Sequence, residues 1–173
     1  MKKVFALALA VLMVLSLAAC SSSSNGEDNA ASAFSDITNQ VRDYLDSEDL
    51  ITAHKVEQHY GESVEVSICL DGLNKEWMNY TAKLIFLEDE KAIQGKAAID
   101  AYVVMVKDHI KKMYADEGYP DISVTVRAYA DDGEFEETLL WIKDDEIMFD
   151  SIQTLVDIMQ EQFQEQYGDI LGE

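Results

Sequence analysis

The chain has one proline, eight glycines, two cysteines and three histidines in 173 residues. So few prolines and glycines exclude collagen-like and low-complexity architectures. Basic residues are also scarce, 13 Lys and Arg against 34 Asp and Glu, for a formal charge of −21. Phosphate backbones are bound by Lys and Arg that displace counterions, so this balance argues against nucleic acid as a partner. It also argues against adsorption to anionic lipid through protein charge alone. Apolar residues nevertheless make up 48%, enough for one sizeable core, and the length suits a single domain with appendages.

Catalytic signatures are scarce too. The sequence has no Gly-x-Ser-x-Gly, no Ser-x-x-Lys, no phosphate-cradling glycine loop and no Cys-x-x-Cys. His54 and His59 stand five residues apart, which on a helix turns them about 140° away from each other. They read as surface histidines, with no metal or cofactor expected. Asp131, Asp132, Glu134, Glu136 and Glu137 crowd around Gly133, and Asp144, Asp145 and Glu146 follow. Calcium takes six to eight oxygens, but this run lacks the alternation of an EF-hand loop. Asp-Gly is a hairpin-turn pair, so a solvated acidic turn is the expectation.

The N-terminus carries the clearest signal. Lys2 and Lys3 precede an uncharged run from Val4 to Leu15, and small residues then lead to Cys20. This is the layout of a secretory signal, too short for a bilayer span. Leu17-Ala18-Ala19-Cys20 resembles the lipobox of bacterial lipoproteins. The resemblance implies a signal peptide over residues 1–19 and diacylation of the Cys20 thiol. The protein would then sit on the extracytoplasmic face of the cell membrane, held through its N-terminal lipid. Residues 21–32 are polar and read as a flexible tether reaching roughly 20 Å. With Cys20 acylated, Cys69 has no partner within the chain.

Residues 33–173 then form one acidic α+β domain. Phe34, Ile37, Val41, Tyr44 and Leu45 predict a helix over 33–46. Residues 47–60 fit either a helix ending at Gly61, the preferred reading, or an alternating strand. Val64, Val66, Ile68 and Leu70 alternate with polar residues, and Asp71-Gly72 supplies a turn. Tyr80 to Leu87 reads as a returning strand, with a helix over 74–88 as the alternative. Ile99, Tyr102, Val103, Val106, Ile110 and Met113 form a helical stripe opposed by Lys107, Asp108, Lys111 and Lys112, and Gly118 and Pro120 end it. Ile122 to Tyr129 and Phe135 to Ile142 predict a second hairpin. A last helix is announced by Asp150 and Gln153 at N-cap and N3 spacing, with Gly168 as its C-cap. The expected architecture is a two-layer sandwich: an antiparallel sheet of about four strands in two hairpins, with helices on one face. In order and turn placement it resembles small exported lipoprotein domains of Gram-positive bacteria.

Such a sheet leaves its polar face open. In this phase it displays Ser67, Cys69, Lys83, Thr125, Arg127 and Tyr129, and two cations together stand out in so acidic a chain. The residue pattern therefore points to a non-catalytic binding module for a protein or small molecule, with Lys83, Arg127, Tyr129 and Cys69 as contact residues. The competing class is a small cell-envelope hydrolase, or a divalent-cation-dependent enzyme, using acidic residues.

Overall fold

A computed structural model describes residues 24–130 and 135–171. The segment expected to be a signal peptide, Cys20 and residues 131–134 lie outside the described residues. Among the described residues four helices and five strands follow in the order α1 (Ser24–Ser47), β1 (Ile51–His59), β2 (Ser63–Leu70), α2 (Lys75–Phe86), α3 (Glu90–Asp116), β3 (Ser123–Ala130), β4 (Thr138–Lys143), β5 (Glu146–Asp150) and α4 (Ser151–Leu171). The strands form one mixed sheet in the order β1-β2-β3-β4-β5. Only the central β2–β3 pair is parallel. Parallel neighbours need a crossover connection, and α2 with α3 supplies it.

Alternation at 64–70 and 122–128 builds the middle of the sheet. Val64, Val66 and Ile68 on β2 and Val124, Val126 and Ala128 on β3 are all buried. They share one core with Phe34, Ile37, Val41 and Leu45 of α1 and Val103, Val106, Ile110 and Tyr114 of α3. The helices cover one face of the sheet. Among the described residues no helix is long and apolar enough to cross a membrane.

Several expectations are corrected. The segment after Ser47 is strand β1, because it pairs with β2 over its length, from Ile51↔Leu70 to His59↔Ser63. Gly61, at φ 72°, makes the turn. The segment expected as a returning strand is helix α2. Asn74 caps it by accepting from the Trp77 N–H at 2.8 Å, and Met78, Thr81 and Ala82 are buried at helical spacing while Tyr80 is exposed. The sheet is consequently five-stranded and mixed. β5 was not foreseen, and α4 continues past Gly168 to Leu171. Lys107, expected on the polar side of α3, is buried, and its Nζ donates to the Asp144 carbonyl at 2.5 Å. The Asp150 cap holds as read, accepting from the Gln153 N–H at 2.9 Å.

The tether expectation also changes, since α1 begins at Ser24. Ala30 and Ala31 are strong helix formers, and Glu27 and Asp28 suit a helix N-terminus. Residues 31–33 are exposed, so this extension adds helix without adding core there. A chain starting at Ala33 is expected to melt within a few degrees of the longer form, as read by calorimetry. A larger drop would show that residues 24–32 pack.

Candidate functional site

The register places side chains of the uncovered face in rows across the sheet. The central row runs Lys55, Ser67, Arg127, Trp141 and Phe149, one residue from each strand. Beside it runs Glu57, Glu65, Thr125 and Lys143. On the other side lie Ala53, Cys69, Tyr129 and Thr138. Strand geometry makes this unavoidable: residues of odd offset from Val66 and Val126 must point away from the helices.

Arg127 lies over the Trp141 ring, its guanidinium carbon 4.3 Å from the centroid. Lys55 lies over the Phe135 ring at 4.1 Å. Phe135 in turn meets Tyr129 edge-on, with centroids 5.5 Å apart. Its φ of 58° is a conformation that bulky residues rarely adopt, so the chain accepts backbone strain to bring this ring over the sheet. Lys55, Glu57, Glu65, Ser67, Arg127, Tyr129 and Phe135 line a concavity of about 270 Å³. A second concavity, of about 190 Å³, is lined by Leu50, Leu70, Leu73, Ala98, Ile99 and Tyr102 with Asp71, and its walls are mostly apolar. The first is lined mainly by charged and polar groups that converge on Ser67, with Tyr129 and Phe135 as its aromatic side.

Of the residues expected at the open face, Arg127 is there, half-buried, with Ser67 beside it. Tyr129 shares the face but is only 8% exposed, with the Phe135 ring edge-on to it. Cys69 is fully buried, which removes its thiol from the accessible surface. Lys83 is not on the sheet. It stands exposed in the last turn of α2, in the helical layer. Lys55, Trp141 and Phe135 are the contributors that sequence reasoning missed. Lys55 lay in the segment preferred as helix, and nothing in the sequence showed that β1 and β4 flank β2 and β3.

Elsewhere the charged groups serve the fold. Of the two histidines expected at the surface, His59 is exposed and His54 is partly covered, its side chain 15% exposed with Nε2 2.9 Å from Asp46. Glu137 pairs with Lys75 at 2.5 Å. The Asp144 carboxylate accepts from Ser123 Oγ at 2.8 Å and the Val124 N–H at 3.1 Å. Among the described residues no three His, Cys, Asp or Glu side chains gather as metal ligands would.

Comparison of the chain with protein-family models, with curated proteins and with solved structures finds no match.

Proposed function

We propose that the protein is an exported lipoprotein, held to the membrane through Cys20, whose domain is a non-catalytic binding module. Its contact surface is the uncovered sheet face centred on Arg127. The observation that carries the reading is the row Lys55–Ser67–Arg127–Trp141: two cations, each laid on an aromatic ring, collected on one face of a chain with charge −21. Arginine and aromatic residues are the usual energetic centres of recognition surfaces. The lipobox-like Leu17-Ala18-Ala19-Cys20 supports the anchorage.

One comparison tests both parts. Cells making the wild type, Cys20→Ala and Arg127→Ala are fractionated, and each chain is used to capture components of the native envelope. Cys20→Ala should stay unprocessed, without lipid. Arg127→Ala should be processed normally yet lose a component that the wild type retains. Its stability should change by under about 1 kcal/mol, since the site is partly exposed. Equal retention by wild type and Arg127→Ala would sink the binding reading. Normal lipidation of Cys20→Ala would sink the anchorage.

A further inference from the structure

We infer that the concavity over Ser67 takes a small zwitterion, with the ligand's carboxylate between Lys55 and Arg127 and its ammonium between Glu57 and Glu65. The inference rests on the reading of this face as the contact surface, and it adds the class of ligand.

The carboxylate position follows from the central row. Lys55 and Arg127 flank Ser67 on neighbouring strands, so their backbones stand about 10 Å apart across the sheet. Between them the small Ser67 side chain leaves a trough with a hydroxyl in its floor. Contact with the Trp141 ring holds the Arg127 guanidinium against the sheet, and its one ion pair among the described residues, with Glu65, is long. The closest carboxylate oxygen, on Glu65, is 4.0 Å from Nη2, beyond hydrogen-bond distance. A guanidinium held in this way presents the fork that carboxylates accept bidentately.

Two further donors agree. Arg127 Nε and Trp141 Nε1 are both buried without an acceptor, an arrangement that is costly to maintain. A ligand with acceptor oxygens would supply the guanidinium with the partner that the protein itself does not.

The ammonium position follows from the neighbouring row. Glu57 and Glu65 are direct partners across β1 and β2, and like charges directly opposite destabilise a strand pair. Among the described residues the one cation paired with either is Arg127, whose Nη2 is 4.0 Å from Glu65. They stand two residues along the strands from the cation row, about 7 Å away. An ammonium between them would relieve the repulsion. Phe135, on the Tyr129 side of the cation row, closes the carboxylate end of the concavity. At about 270 Å³ the space is below the range of drug-sized sites, which limits the ligand to a short molecule.

A matched series tests the assignment: 5-aminopentanoate, pentanoate and pentylamine share a carbon chain and differ in their charged ends. Each is titrated into the wild-type protein by calorimetry and followed in ¹⁵N spectra. 5-Aminopentanoate should bind at least about tenfold more tightly than either single-charge analogue, the factor expected for one added charge-assisted contact. It should shift the Trp141 indole N–H and the Arg127 Nε–H signals and leave the Trp77 indole unmoved. Glu57→Gln with Glu65→Gln should erase the advantage over pentanoate, and Lys55→Met should reduce the advantage over pentylamine. Pentanoate binding equally well would overturn the ammonium half, and pentylamine binding equally well the carboxylate half. If no probe binds while Arg127→Ala still loses its envelope component, the zwitterion is wrong and the binding face stands. If Arg127→Ala loses nothing either, the face itself is wrong.

Discussion

Tyr114→Ala is expected to cost about 3–5 kcal/mol, the range for deleting a large aromatic side chain from a packed core. Tyr114→Phe should cost about 1–2 kcal/mol. Tyr114 is fully buried, and its ring lies 5.0 Å from that of Phe34, which also meets Tyr60 and Tyr119. This cluster joins α1 to the end of α3 and to the β1–β2 turn. The Tyr114 hydroxyl lies 2.6 Å from Thr38 Oγ1, which also reaches the Phe34 carbonyl at 3.0 Å and the Gln58 amide oxygen. A threonine hydroxyl holds one proton. With acceptors already claiming it, Tyr114 is the donor to Thr38, and phenylalanine leaves Thr38 short of that partner. Domains of this size are stable by only about 5–15 kcal/mol, so the alanine variant should lose much of its urea midpoint while the phenylalanine variant keeps most of it. Equal losses would mean that the hydroxyl, and not ring packing, holds the helices to the sheet. A neutral Tyr114→Phe would mean that the buried hydroxyl contributes nothing.

Tyr114 also shows where sequence reading stops. Its neighbours Val103, Val106 and Ile110 announce one face of α3 by period alone, and the alternation of β2 and β3 is equally plain, because each residue there is unambiguously inside or outside. β1 carries no such contrast. It is an edge strand in which Val56 alone is buried, and its charged residues are what keep an exposed edge from pairing with other chains. Residues 80–86 fail differently: Tyr80, Ala82, Leu84 and Phe86 alternate by chance over a stretch too short to separate two periods. Asn74, three residues before the N–H it caps, was the signal that decides for helix. Losing that helix turned a crossover into a hairpin and put Lys83 on the wrong layer. Arg127 was placed on the uncovered face because its own strand was phased correctly. Lys55, Trp141 and Phe135 were not, because a row across four strands depends on strand order and register, which no single segment encodes.

Strand order also gives the second large expected effect, at the turn between β4 and β5. Asp144→Ala should cost about 2–3 kcal/mol and Asp144→Asn about 1 kcal/mol. Asp144 sits at φ 49°, where asparagine and aspartate are tolerated and alanine is not. Its N–H donates to the Val124 carbonyl at 2.9 Å, and its carboxylate accepts from Ser123 and Val124. Lys111 lies 3.6 Å away, and the Asp144 carbonyl receives Lys107. One turn residue therefore ties β4 to β3 and to α3. Burial alone would raise the Asp144 pKa. The Ser123 hydroxyl, the Val124 N–H and Lys111 outweigh it and hold the carboxyl below its ordinary 3.8. A depressed pKa stabilises the fold above the unfolded value and loses that contribution as pH falls through the folded one. The gap between wild type and Asp144→Asn should thus be full at neutral pH, narrow below pH 3.8, and close once the native carboxyl is protonated. The side chain is 36% exposed, so water screens the Lys111 contact and added salt should shrink the gap only slightly. For Asp144→Ala part of the loss should survive at acid pH, because backbone conformation does not titrate. Urea denaturation of the three chains across this range makes the comparison, and an Asp144→Asn gap that stays flat with pH would show that the carboxylate charge does not hold the turn.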